Sequence, residues 1–88
     1  MSHPRISLEQ WRTLVAVVDR GGYAQAAAAL HKSQSAITYA IQQLEAQLGV
    51  RAFTVQGRRA VLTPTGELLV RRARALVEDA AGLEDAAR

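Results

Sequence analysis

The side chains with most to offer a binding partner are Ser33, Gln34, Ser35, Thr38, Tyr39 and Gln42, hydroxyls and amides drawn from one short stretch of chain. At about 100° per residue in a helix, Ser35, Tyr39 and Gln42 share one side, with Thr38 and Gln43 beside them. A helix face that meets only water is usually furnished with Lys and Glu. This one is polar but nearly uncharged, and groups that donate and accept hydrogen bonds are what base edges and phosphate oxygens require. Lys32 just ahead of it, and Arg51, Arg58 and Arg59 beyond it, would add the positive charge that positions such a face on a polyanion. Bond-breaking chemistry finds little here. The chain has no cysteine, which removes disulfides, thiolate metal sites and thiol catalysis together. Its two histidines, His3 and His31, have no partners spaced for a metal or a general base. With no glycine-rich phosphate loop and no converging acidic pair, the reading is a binding protein without cofactor or metal, not an enzyme.

The elements that must hold this face follow from periodicity. Ile37, Ile41, Leu44 and Leu48 recur at helical spacing on the side opposite Tyr39, so the polar face should sit on a helix packed against a core. Ser33 is placed to cap that helix by accepting from the Ala36 N–H, and Gly49 to end it in a left-handed conformation. Upstream, Ser7 and Gln10 form a capping box that opens a first helix, whose buried stripe reads Leu8, Trp11, Leu14, Val15 and Val18. A lone Trp11 in that stripe is read as core, not as a stacking platform. Gly21-Gly22 ends the helix. A short second helix spans Tyr23 to Leu30, with Ala26, Ala27 and Leu30 inward, small residues that let two helices approach closely. The turn His31-Lys32-Ser33 then has the length of a helix–turn–helix corner. His31 reads as a turn residue near a phosphate or simply solvated. Met1 to Ile6, with Pro4 and no periodicity, reads as a loose arm.

Beyond Gly49, the β-prone runs Val50–Val55 and Ala60–Thr63 flank Gln56-Gly57-Arg58-Arg59, which predicts a hairpin with a basic tip. Two strands are marginal alone, so Phe53 and Leu62 should anchor them to the helices. Thr63-Pro64 is a helix start, and the rest can be helical almost to its end. Leu69, Ala73, Leu76, Ala80, Leu83 and Ala87 repeat as a heptad seam, the mark of a helix that meets another along its length. The expected organisation is therefore residues 1–62 as a mainly α, winged helix–turn–helix body with a small β-hairpin wing, and residues 63–88 as a long C-terminal linker and dimerisation helix. A second copy of the chain is the expected partner of the seam.

Charge divides along the same line. Residues 1–74 hold ten Lys or Arg against four Asp or Glu, and residues 75–88 hold Arg88 against four acids. A basic body with an acidic end points to a polyanion partner for the body alone. No apolar run is long enough for a membrane span, so no membrane partner is expected and a cytoplasmic location fits.

The residues Ala26-Ala27-x-x-Leu30, Ser33-Gln34-Ser35-Ala36-Ile37-Thr38, Ile41-x-x-Leu44-Glu45-x-x-Leu48-Gly49-Val50-Arg51-x-Phe53 and Arg58-Arg59 with Leu62-Thr63-x-x-Gly66 resemble the LysR-type transcriptional regulators. The likeness runs from Leu8 to Leu76. It implies a bacterial, homodimeric domain that binds double-stranded DNA at a dyad-symmetric operator. The third helix would enter the major groove through Ser33, Gln34, Ser35, Thr38, Tyr39 and Gln42, and Arg58 and Arg59 of the wing would meet the backbone or minor groove. Two positions depart from the common pattern: Tyr39 stands where many relatives carry Arg or another polar residue, and Val55 where many carry Arg. The resemblance further implies a C-terminal effector-binding domain that is absent from these residues, and with it any small-molecule co-inducer. Two rival readings remain: a helical protein-interaction adaptor using the 69–87 seam, and an RNA-binding winged helix.

Overall fold

Three of the four helices start on a capping hydroxyl. In this computed structural model, which describes residues 3–88, Ser7 opens α1 (Leu8–Arg20) through a complete capping box. The Gln10 N–H donates to Ser7 Oγ at 3.1 Å, and the Ser7 N–H donates to Gln10 Oε1 at 2.9 Å. Ser33 opens α3 (Gln34–Leu48) and Thr63 opens α4 (Pro64–Ala86), each accepting from the N–H three residues on. Only α2 (Tyr23–Leu30) lacks a side-chain cap, its N-cap being Gly22. Between α3 and α4 lies the antiparallel hairpin of β1 (Phe53–Gln56) and β2 (Arg59–Leu62), in the register Phe53↔Leu62 to Gln56↔Arg59.

The core gathers where α1, α2 and α3 meet. Leu14, Ile37, Ile41 and Leu44 are fully buried there, with Val17, Ala26 and Ala27 around them. Ala52 and Phe53 close it from the wing side and Val70 from α4. Thr13 is buried too, because its hydroxyl donates to the Glu9 carbonyl at 2.8 Å and so carries no unmet hydrogen bond inside.

Two readings of the N-terminal region need correction. Ile6 is 8% exposed and belongs to the core, so the expected arm is tied down at its last residue; Met1 and Ser2 lie outside the described residues. The buried side of α1 is centred on Thr13, Leu14 and Val17, with Trp11 and Val18 half-buried and Leu8 left 43% exposed. An apolar count passes over Thr13 and takes Leu8, whereas contact with α2, α3 and α4 decides which side faces in. On α3 the same effect leaves Leu48, the last of the expected stripe, 39% exposed.

The wing differs from expectation by a residue or two. Its turn is Gly57-Arg58, so Arg58 sits at the tip and Arg59 on β2 opposite Gln56. Gly57 has φ 65° while Arg58 keeps a negative φ, the pattern of a two-residue turn that demands glycine first. Phe53 and Leu62 do anchor the hairpin, the first buried and the second half-buried.

Helix α4 lies across α1 over its first half and extends past it over its second. Gly66, Val70 and Ala73 are buried, and an Arg74–Asp19 ion pair ties the two helices. Ala73 thus belongs to the chain's own interior and not to a free seam, and Ala87 falls just after the helix as its C-cap. Leu76 and Leu83 stay 46% and 74% exposed.

The tightest packing is at Gly66, where a Cβ would stand 2.1 Å from the Ala52 carbonyl oxygen and 2.9 Å from Leu62 Cδ2. Gly66→Ala is therefore expected to lower stability by roughly 1–3 kcal/mol or more, seen as a lowered urea midpoint. Gly82→Ala, with nothing within 4 Å of the added carbon, should raise stability by up to about 1 kcal/mol and the midpoint with it.

Candidate nucleic-acid interface

Helix α3 is positioned by its buried side. Ile37, Ile41 and Leu44 fasten it in the core, which turns Ser35, Tyr39 and Gln42 outward, and Tyr39 is 63% exposed. Gln34 is exposed at the helix start, and Thr38 is only half-buried at the edge of the face. Ser33 is already engaged: its hydroxyl accepts the Ala36 N–H at 3.1 Å and stands 3.2 Å from Ser35 Oγ. Its role is to set the helix start.

The structure brings Gln34 and the wing arginines together. A cleft of about 380 Å³ separates the wing from the helices, lined by Gly22, Tyr23, Gln34, Phe53, Arg58 and Arg59 among others. Tyr23 packs on Phe53 with ring centroids 5.8 Å apart, which fixes one wall. Burial, and then the nearby Glu45 carboxylate, push the Tyr23 phenol above its usual range, with Arg51 opposing, so it stays protonated.

Lys32 and Arg51 are not free cations. Lys32 Nζ lies 3.0 Å from Glu9 Oε1, and the second Glu9 oxygen holds Arg12 at 3.3 Å. The Lys32 hydrogen bond is the main reason the Glu9 carboxyl sits below the usual carboxylate range, ahead of the smaller contribution of Arg12 and against partial desolvation. Arg51 Nε is 3.5 Å from Glu45 Oε2, though its side chain remains largely exposed.

Glu45 does more than pair with Arg51. Its Oε2 accepts the backbone N–H groups of Ala52 at 2.8 Å and Phe53 at 3.3 Å, so α3 itself holds the first residues of the wing. Sequence reading missed this, as it missed Glu9. Both contacts join segments whose meeting depends on the fold, and no local pattern announces them. Gln43, which the sequence placed beside the polar face, was given no role there. It stands one helical turn after Tyr39, a spacing that by itself allows contact, and its Nε2 donates to the Tyr39 hydroxyl at 2.9 Å.

Among the described residues no group of His, Asp or Glu is arranged to hold a metal ion, and no helix is long and apolar enough to cross a membrane.

Comparison with known proteins agrees with this geometry. The family model described as "Bacterial regulatory helix-turn-helix protein, lysR family" matches residues 8–67. A probable RuBisCO transcriptional regulator of Cyanophora paradoxa is 45% identical over 65 residues, covering 74% of this chain and 20% of that protein. The uncharacterized HTH-type transcriptional regulator YeiE of Escherichia coli K12 is 42% identical over 79 residues, covering 90% of this chain and 27% of that one. The chain thus spans about a fifth to a quarter of the length of these curated relatives. Among solved structures, a complex of the CbnR DNA-binding domain with DNA superposes with a TM-score of 0.84 at 36% identity, over 93% of this chain and 94% of that one.

The Glu45 contacts give the first test of how the interface is held together. Glu45→Ala leaves two backbone N–H groups without their acceptor and should cost about 1–3 kcal/mol. The loss should show as a lowered urea midpoint and as faster amide exchange at Ala52 and Phe53, with α1 exchange changed only by the global shift. Unchanged exchange at Ala52 would mean that Glu45 does not hold the wing.

Proposed function

Because the chain belongs to the lysR family of bacterial regulatory helix-turn-helix proteins, we propose that it binds double-stranded DNA sequence-specifically, as a homodimer, to regulate transcription. The observation that carries this is the outward side of α3, where Ser35, Tyr39 and Gln42 stand exposed, polar and uncharged above a fully buried apolar side. An α-helix fits the major groove, where amides and hydroxyls can match the donor and acceptor pattern of each base pair. Tyr39 and Gln42 then read bases, with Thr38 assisting from the edge of the face. Gln34, at the helix N-terminus, meets a phosphate or an outer base edge. Arg58 at the wing tip and Arg59 on β2 take the backbone or the adjoining minor groove, while Lys32 and Arg51 position the body. For Lys32 this means exchanging the Glu9 carboxylate for a phosphate, so Glu9 competes with DNA for one cation. The chemistry is recognition without catalysis, and the cytoplasm, where bacterial DNA lies, is its place of action.

Residues 1–62 act in this reading as the recognition body, and residues 63–88 as the helix that joins two bodies. The outer edge of α4, with Leu76 and Leu83 exposed and Leu69 and Ala80 half-buried, is the surface proposed to meet a second copy. Leu69 and Leu76 border a shallow apolar groove with Trp11 and Arg72, which continues that edge onto α1. A symmetric pair would offer two α3 helices to one side of the duplex, about 34 Å or a multiple of it apart, matching a dyad-symmetric operator.

Substitutions should separate positioning from reading. Affinity is expected to fall by ~10³–10⁵ between about 50 and 200 mM salt if some 6–10 phosphates are contacted. Arg59→Ala should weaken binding to cognate and scrambled duplexes alike and reduce the salt slope by about one, while Gln42→Ala should cost ~1–3 kcal/mol at particular base pairs only. Equal losses on both duplexes for both variants would refute the assignment of Gln42 as a reader. Leu83→Asp, at a position 74% exposed in the single chain, should leave folding intact and shift sedimentation from dimer to monomer. An unchanged dimer would place the interface elsewhere, and preference for A-form RNA or single strands in competition would redirect the whole reading.

A further inference from the structure

Tyr39 and Gln43 are one helical turn apart on the exposed side of α3, and the hydrogen bond between them has a direction. The Gln43 amide Nε2 donates to the phenol oxygen of Tyr39 at 2.9 Å. A phenol oxygen is conjugated with its ring, so its O–H bond and its best acceptor direction both lie in the ring plane, on opposite sides of the C–O axis. Once Gln43 takes one of those directions as donor, the hydroxyl proton is left pointing the other way. The Tyr39 hydroxyl makes no other hydrogen bond among the described residues and the side chain is 63% exposed, so that direction is open to a partner.

Resting on the DNA-binding reading, we propose that Gln43 sets the polarity of the Tyr39 hydroxyl, making Tyr39 a hydrogen-bond donor that discriminates against cytosine at the base it faces. In the major groove guanine offers N7 and O6 as acceptors, adenine N7 and thymine O4; cytosine alone offers only the N4 amino donor. A donating hydroxyl therefore finds a partner on three bases and an unmatched donor on the fourth. Thymine gains further from its methyl group against the phenol ring. Gln43 is thus a specificity-determining residue that need not touch DNA, because it acts through the orientation of its neighbour's proton.

Inverting the pair should invert the preference. In Gln43→Glu the carboxylate can only accept, so it draws the phenol proton to itself and turns the free lone pair outward, which favours cytosine N4 or adenine N6. The added negative charge will weaken binding to every duplex, so the measurement must be base composition at one position, not affinity.

The experiment selects bound sites from a random duplex pool with four proteins: the unaltered chain, Tyr39→Phe, Gln43→Met and Gln43→Glu. The position whose base distribution changes between the unaltered chain and Tyr39→Phe is the one that the hydroxyl reads. There the unaltered chain should deplete cytosine roughly 2- to 10-fold, the range of one hydrogen bond's net worth. Gln43→Met should flatten that depletion, and Gln43→Glu should turn it into enrichment of cytosine or adenine. A purely structural Gln43 would shift melting or overall affinity in these variants and leave base composition as it was. The same cytosine depletion in Gln43→Glu overturns the proposal. So does cytosine enrichment by the unaltered chain, which would mean that the Gln43 amide oxygen accepts the phenol proton instead, and so does the lack of any position that distinguishes Tyr39→Phe. Should the unaltered chain select no sequence at all, the DNA-binding reading falls and takes this proposal with it; a selected site with unaltered cytosine use condemns the proposal alone.

Discussion

The backbone of Ala52 is the point on which the arrangement of α3, wing and long helix depends. Its N–H is held by the Glu45 carboxylate of α3, and its carbonyl accepts the Thr63 N–H at 2.9 Å. Thr63 Oγ1 donates to the neighbouring Arg51 carbonyl at 2.6 Å while capping α4 through the Gly66 N–H. Ala52 is itself fully buried, and Gly66 packs against its carbonyl so closely that no side chain could fit between them. Three elements are thus joined through a single residue, with the backbone N–H and carbonyl of Ala52 both satisfied inside the protein. A buried peptide is costly to strip of such partners, so the wing cannot move far from α3 without exposing them or leaving them unmet.

That constraint explains how a four-residue strand pair can serve as a rigid part of an interface. A lone hairpin of this length is marginal in water. Here Phe53 is buried against Tyr23, and the strand start is held by Glu45, so Arg58 and Arg59 are presented at a set distance from Gln34 across the cleft. Positioning charges are worth most when the element carrying them need not be ordered at the moment of binding. Lys32, by contrast, is held in an ion pair with Glu9.

The long helix divides its work between halves. Gly66, Val70 and Ala73 are buried, Val70 in the same core as Leu14 and Val17 of α1, and the Arg74–Asp19 pair adds a second tie between the two helices. Past Leu76 no residue of the helix is fully buried: Val77 and Ala80 are half-buried and Leu83 is exposed. A rotation of α4 by a fraction of a turn would trade these roles, which is why the heptad pattern counted Ala73 along the outer edge although the chain's own interior takes it. On a helix packed on one side and open on the other, two apolar arcs overlap, and a repeat of seven does not say where one ends.

What the sequence determined by itself was everything decided within a few residues. The caps at Ser7, Ser33 and Thr63, the left-handed stop at Gly49, the limits of α2 and the outward polar side of α3 follow from local hydrogen bonding and from a period that side chains cannot escape. The motif that spans the turn, the third helix and the wing was specific enough to identify the family. What only the tertiary structure decided was which arc of α1 faces inward, the burial of Ile6, the capture of Ala73 by its own domain, and the contacts of Glu9 and Glu45. Each of those depends on how segments distant along the chain cross one another, and the crossing is set by packing volume and by satisfaction of buried polar groups, neither of which leaves a periodic trace in the chain.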